Sequence, residues 1–399
     1  MSYIPELADG VLISPIENET FFIVHTPGTA LRLRINELTR TLLTMIDGKR
    51  NVAELTQALN VDPAAFVSIL QVDQVIRETL EPYGIVKSKK ALPVSDNVPY
   101  LRLRMTLLPG FMVSSIGRVL RILIPAKPWL FILFLMTVIT VIYVREISFA
   151  ALTGFITPER ILGYFIFSIF SRLVHEFGHA SACEKFGIKA GSIGFGFYLF
   201  MPVFYADVSD AWLLTPRKRI IINAAGMYFQ LLVSCVMVAI FFITDNQWLL
   251  YASLINVLGF LPNINPFVRY DGYWILVDWF GVNNLMAKSR EKFQATVAWL
   301  RVKSRAYHPL QTRVDVFLFC YFMISRVMMA VFILVACWPS NNSILFFPTR
   351  LIEFITAGDF SMEMWKNFLR SNVFAILFFA MIFEMARKRL VQKISDRSH

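Results

Sequence analysis

A polytopic α-helical membrane protein with a small amino-terminal α+β domain, winged-helix-like in its element order, is the fold class this sequence predicts, and three observations predict it. The 399 residues are 56% hydrophobic and 15% aromatic with a mean hydropathy of +0.56, more apolar than a soluble globule accommodates. The apolar residues gather into about six runs of near-bilayer length. Residues 1–90 stand apart, because they mix polar and apolar positions at strand and helix periods and hold no such run.

In the first 90 residues, Thr20 to His25 and Ala30 to Ile35 read as strands joined by a Pro27-Gly28 turn, the second alternating Leu31, Leu33 and Ile35 with Arg32 and Arg34. Asn36 is placed to cap a helix from Glu37 to Ile46 that stops at Asp47-Gly48. A helix over Val52 to Leu59 and a longer one from about Pro63 to Leu80 follow, so strands precede three helices. Thr20 to His25 is the strand expected to offer a free edge to an extended peptide.

Residues 91–127 form a connector whose surroundings carry Lys87, Lys89, Lys90, Arg102, Arg104, Arg118, Arg121 and Lys127 against Asp96 alone, a composition suited to an anionic leaflet. The membrane domain, 128–386, places spans near 128–144, 161–183, 220–243, 248–265, 314–338 and 370–386, and a basic tail fills 387–399. Arg217-Lys218-Arg219, the basic residues from Lys288 to Arg313, and Arg387-Lys388-Arg389 all fall on the side of the amino terminus when six spans are threaded. That asymmetry predicts both termini in the cytoplasm and the lipid bilayer as a partner. It also accounts for the net charge of +11 without nucleic acid, which is not expected as a partner. Cys183, Cys235, Cys320 and Cys337 lack CxxC spacing, so neither a disulfide framework nor a thiolate metal site is indicated. Met1 opens a polar segment, and no cleavable signal peptide is expected.

The chemistry concentrates in His175-Glu176-Phe177-Gly178-His179, an HExxH pattern inside the second apolar run. Histidines four apart share one helix face, so both imidazoles can grip one Zn²⁺ while Glu176 lies beside the water that the metal activates. A hydrogen-bonded His/Glu/His cluster without metal is the alternative. A third ligand must come from elsewhere. Asp271 is the first candidate, since Pro266 interrupts the helix before it and presents the carboxylate from irregular backbone; a turn-forming Asp271-Gly272 before Tyr273 is the alternative reading. Asp207 and Asp210, after the glycine- and aromatic-rich stretch Gly191 to Tyr205, are the rivals. That stretch suits either a re-entrant hairpin or a loop resting on lipid.

HExxH followed on a later helix by Asn263-x-x-Pro266-(x)4-Asp271-Gly272 resembles the site-2 family of intramembrane zinc proteases. The resemblance implies His175, His179 and Asp271 as zinc ligands, Glu176 as general base, and substrate-aligning sheet structure around Gly191 to Tyr205. The family's Gly-Pro-x-x-Asn motif falls on Gly226-Met227-Tyr228-Phe229-Gln230, with Met227 and Gln230 departing from it. Gln230, Asn263 and Asn265 are the candidate substrate-binding residues, each able instead to bond a neighbouring helix. Asn256 has the same ambiguity. Strand, Asn36, helix, Asp47-Gly48 and Val52-Ala53-Glu54-Leu55 are in turn similar to the pyrroloquinoline-quinone peptide chaperone family, whose relatives recognise leader peptides. Together the resemblances imply a zinc endopeptidase in a bacterial cytoplasmic membrane, acting on a ribosomally made modified peptide. Cleavage of a membrane-anchored regulator and a non-catalytic peptide carrier are the alternatives.

Overall fold

Antiparallel pairing shapes the start of the chain: β1 (Leu12–Pro15), β2 (Phe22–His25) and β3 (Leu33–Ile35) form a sheet in the order β1-β2-β3. The computed structural model describes residues 3–17, 19–26, 32–60, 66–87, 101–147, 158–198, 201–302, 308–336, 346–356 and 361–365, with isolated positions between 367 and 387. The Pro27-Gly28 turn, the helix start at Pro63, most of the sixth expected span and all but the start of the basic tail lie outside the described residues.

β2 is the central strand, paired with β1 on one side and β3 on the other, which corrects the expectation that Thr20 to His25 is a free edge. The strand that covers it, β1, ends on a proline. An edge strand accepts Pro15 because the missing N–H costs no ladder bond on its open side. The sheet packs Val24 and Ile35 against Leu42, Leu43, Leu55, Ile76 and Leu80 from the helices. α1 (Glu37–Met45) begins where the Asn36 side-chain oxygen Oδ1 accepts the Thr39 amide at 2.9 Å. Asp47 then turns the chain by accepting the amides of Lys49 and Arg50 at 2.9 and 3.1 Å, with Gly48 at φ 73°. α2 (Val52–Leu59) opens with an Asn51/Glu54 capping box, and α3 (Ile69–Gln74) with a Ser68/Gln71 box before widening into a π-helical segment, Val75–Leu80.

The connector is more ordered than charge alone suggested. β4 (Leu101–Leu108) pairs antiparallel with β5 (Ile193–Tyr198), and β6 (Met201–Ala206) completes a second sheet in the order β4-β5-β6. The stretch Gly191 to Tyr205 therefore supplies two neighbouring strands of one sheet. α4 (Gly110–Leu120) follows β4 and packs beside α6 (Pro158–Lys185), where a Cβ at Gly117 would stand 3.3 Å from the Ala180 carbonyl.

Around the motif helix α6 stand α5 (Pro128–Glu146), α7 (Pro216–Thr244), α8 (Gln247–Ile264) and α9 (Asp271–Phe280). α6 and α7 meet backbone to backbone, because a Cβ on Gly178 would fall 2.4 Å from the Ala225 carbonyl oxygen. Four helices among the described residues are long and apolar enough to cross a membrane: Pro128–Glu146, Arg160–Lys185, Pro216–Thr244 and Arg313–Val331. α8, the fourth expected span, is not one of them. Ser253, Asn256, Pro262 and Asn263 dilute its apolarity, and its polar side chains Ser253, Asn256 and Asn263 are buried.

The amino-terminal domain belongs to the same compact unit as these helices, and that unit ends at Gly281. Its contact is polar: the Glu17 amide donates to the Leu213 carbonyl at 2.9 Å, the Glu17 carboxylate accepts from Lys218 at 2.5 Å, and Arg32 pairs with Asp210 at 3.2 Å. Residues from Val282 onward, with 199–201, form a second unit. In it α10 (Leu285–Val302) packs on α11 (Arg313–Ala336), with Phe293 stacked on Phe322 at 4.5 Å and Lys292 bonded to Asp315 at 2.6 Å. α12 (Phe347–Thr356) follows.

Candidate metal centre

Helical spacing puts His175 and His179 one turn apart on the same face of α6, and α9 brings Asp271 to them. The ligand atoms of the three residues lie within 4.8 Å of one another. His175 Nε2 is 3.1 Å from His179 Nε2 and 3.0 Å from Asp271 Oδ2, while His179 Nε2 is 3.4 Å from Asp271 Oδ1. The two imidazoles are buried and the aspartate is 16% exposed, so the cluster opens on its carboxylate side.

The sequence from Asn263 to Gly272 builds that approach. Pro266, with no amide proton, lies just past the end of α8 at Ile264, and the Asn265 side chain accepts the Phe267 amide at 2.9 Å to form the turn. Chain reversal then lays Gly272 on the last turn of α8, where a Cβ would stand 2.2 Å from the Ile264 oxygen. Only glycine fits there. The Tyr198 hydroxyl accepts the Arg269 amide at 3.0 Å, so the sheet also holds this turn.

Both histidines use Nδ1 outward. His179 Nδ1 donates to the Ile222 carbonyl at 2.8 Å, and His175 Nδ1 faces Gln230 Oε1 at 3.2 Å. A neutral imidazole that donates from Nδ1 carries a lone pair on Nε2. With both Nδ1 atoms donating, two lone pairs and a carboxylate converge, and Asp271 Oδ2, although buried, has no hydrogen-bond partner among the described residues. A single shared proton would answer one pair of these atoms and leave the third facing acceptors. A divalent cation answers all three, and two imidazoles with one carboxylate are a donor set that zinc accepts. The space is also kept clear, since a Cβ on Gly226 would fall 2.4 Å from His179 Nε2 and 2.7 Å from His175 Nε2.

Glu176 is buried next to the cluster, with the backbone of Ala206, at the end of β6, beside it. The other expected site residues are placed as follows. Asp207 accepts both the amide and the hydroxyl of Ser209, at 3.1 and 2.6 Å, and Asp210 pairs with Arg32, so neither joins the cluster. Gln230 is buried against His175 and Asn256; Asn265 forms the turn; Asn263 is buried beside Gly272. Arg172, one of the charges inside an apolar run, donates to the Gly259 carbonyl at 2.8 Å. Sequence reasoning missed Ser171, Ser234 and the Ile222 carbonyl. Ser171, four residues before His175, was findable as a polar side chain on the ligand face.

Comparison with known proteins agrees with this chemistry. The chain is 30% identical over 117 residues to the "Putative peptide zinc metalloprotease protein YydH" of Bacillus subtilis, a match covering 29% of this chain. It spans 45% of that relative's length. No family model matches, and no solved structure matches. The likeness supports a metalloprotease.

Proposed function

We propose that this chain is a membrane-embedded zinc endopeptidase of the site-2 type, with His175, His179 and Asp271 as the metal ligands and Glu176 as the general base. The observation that carries the reading is the convergence of two Nε2 lone pairs and an undonated carboxylate oxygen on one point. Zinc bound there supplies a Lewis acid that acidifies water and polarises a peptide carbonyl. Glu176 takes the proton from the attacking water and delivers it to the departing amide nitrogen. β6 is an edge strand ending beside Glu176, and an extended substrate laid along it would bring its scissile bond to the base.

The four long apolar helices and the resemblance of HExxH and Asn263-x-x-Pro266-(x)4-Asp271-Gly272 support the membrane setting, with the site near a cytoplasmic face and both termini cytoplasmic. The amino-terminal domain is read as winged-helix-like and leader-binding, with the outer edges of β1 and β3 available to a peptide in place of β2. The substrate class is then a ribosomally made modified-peptide precursor. Glu176→Gln tests the core of this reading: purified protein should keep its zinc and lose cleavage of leader-bearing precursors followed by mass spectrometry. Full activity in that variant would remove Glu176 from the mechanism.

A further inference from the structure

We propose that Asn256 is a positioning residue that sets the tautomer of His175 by holding the Gln230 amide in one orientation. The proposal rests on the metal-site reading above and adds to it a reason for the polar cluster buried in α8.

The Gln230 side chain ends in an acceptor, Oε1, and a donor, Nε2, of nearly the same shape. Rotated by half a turn, it would present Nε2 to His175 Nδ1. That nitrogen would then have to accept, and the ring proton would move to Nε2, onto the lone pair the metal needs. What excludes the rotation is the far end of the amide. There Nε2 donates to Asn256 O and to Asn256 Oδ1, both at 3.1 Å, and both atoms can only accept. The Asn256 amide is itself fixed, since its Nδ2 donates to Gln230 O at 3.0 Å and to Ser234 Oγ at 2.8 Å. Its Oδ1 also receives the Ser171 hydroxyl at 2.6 Å.

All four side chains are shut off from solvent: Ser171 and Ser234 are 0% exposed, Gln230 1% and Asn256 3%. No bulk water competes for these groups, so a wrong amide orientation would leave buried donors opposed and acceptors unmet. Ser171 and His175 sit one turn apart on α6, and Asn256 reaches both, the first directly and the second through Gln230. Helices α6, α7 and α8 are thereby tied at the point where the ligand's protonation pattern is decided.

The test uses the full chain in detergent with two readouts: zinc affinity by competition with a chromophoric chelator, and the ring ¹⁵N shifts of His175 in metal-free protein at mildly alkaline pH, where imidazole is neutral. Wild-type protein should show the Nδ1–H tautomer at His175. Asn256→Ala removes Oδ1 and leaves the residue-256 backbone carbonyl as the acceptor on Gln230 Nε2, so it should populate the Nε2–H form in part and weaken zinc by about 10-fold, the lower end of the cost of losing a partner behind a ligand. Gln230→Glu keeps an acceptor on His175 Nδ1 but sets a carboxylate oxygen against Asn256 O and Oδ1, which can only accept, and should weaken zinc. The double variant Asn256→Ala/Gln230→Glu removes Oδ1, one of the two opposed acceptors, and should bind zinc more tightly than Gln230→Glu alone. A residue needed only for packing would make the double variant the weaker of the two. An Nε2–H tautomer in the wild-type protein, or a double variant no tighter than Gln230→Glu alone, overturns the proposal; the first result stands even where Asn256→Ala fails to fold. Absence of zinc binding by wild-type protein would instead remove the metal-site reading, with the ¹⁵N shifts still deciding the role of Asn256.

Discussion

Gly226→Ala separates the metal cradle from the stability of the fold that carries it. The added Cβ would lie 2.4 Å from His179 Nε2 and 2.7 Å from His175 Nε2, whereas ordinary contact begins at 3.4 Å. The difference between 3.4 and 2.4 Å requires a retreat of about 1 Å by one imidazole, and neither ring is free to make it. Ile222 O holds one by its Nδ1 and Gln230 Oε1 holds the other. Overpacking of this kind costs about 1–3 kcal/mol. Alanine in place of glycine in a helix interior returns roughly 1 kcal/mol. The metal-free protein should therefore unfold within about 2 kcal/mol of wild type. Zinc affinity should fall by more than about 100-fold, since even changes behind a ligand cost 10- to 100-fold. Chelator competition and denaturation in the presence of EDTA measure the two effects. Gly163→Ala is the control: on the same helix but 12 residues before His175, its Cβ would stand 3.3 Å from the Trp248 indole, and the variant should keep its zinc. Wild-type zinc affinity in Gly226→Ala would refute the cradle.

Asp271→Ala should abolish high-affinity zinc binding while Asp207→Ala and Asp210→Ala retain it, as read by metal content of purified protein; the opposite ranking would move the site to the 207–210 turn. Asp278→Ala should destabilise the protein by about 3–5 kcal/mol in denaturant titration, because it leaves Arg219, now 2.7 Å from the carboxylate and 12% exposed, buried without its anion. Asp47 gives a pH dependence. The amides of Lys49 and Arg50 hold its carboxyl down at about 2, so its contribution to the turn is full above the ordinary carboxylate value and is lost as pH falls through about 2. Hydrogen exchange at those amides, corrected for intrinsic rates, should show that loss, and Asp47→Asn should flatten it.

Much of the fold was legible because its signals are local. Asn36, Asp47-Gly48 and the apolar spacing after them gave α1 and α2 nearly to the residue, and long apolar runs gave α5, α6, α7 and α11. The errors come from pairing, which is not local. β1 is four residues ending in proline and carries little strand signal of its own, so the sheet's centre was mistaken for its edge. β4 was readable in principle: Leu101, Leu103, Met105 and Leu107 alternate with Arg102, Arg104 and Thr106, a period of two set within a basic segment.

The site divides along the same line. HExxH on a helix names two imidazoles and a base by spacing alone, and Pro266 with Gly272 announces a turn that returns Asp271 to the preceding helix. Which atoms face which is a different kind of information. Gln230 reads equally well as a substrate contact or a helix-to-helix bond, and only the placement of Asn256, 26 positions later, shows its oxygen turned to His175 and its nitrogen turned away. Gly226 reads in sequence as a close-packing residue, yet the Cβ it lacks would press on both Nε2 atoms. The apolar runs that mark this chain for a membrane thus also conceal its polar interior, because a buried polar side chain on α7 or α8 is satisfied only by another helix, and the identity of that partner is fixed by packing rather than by spacing along the chain.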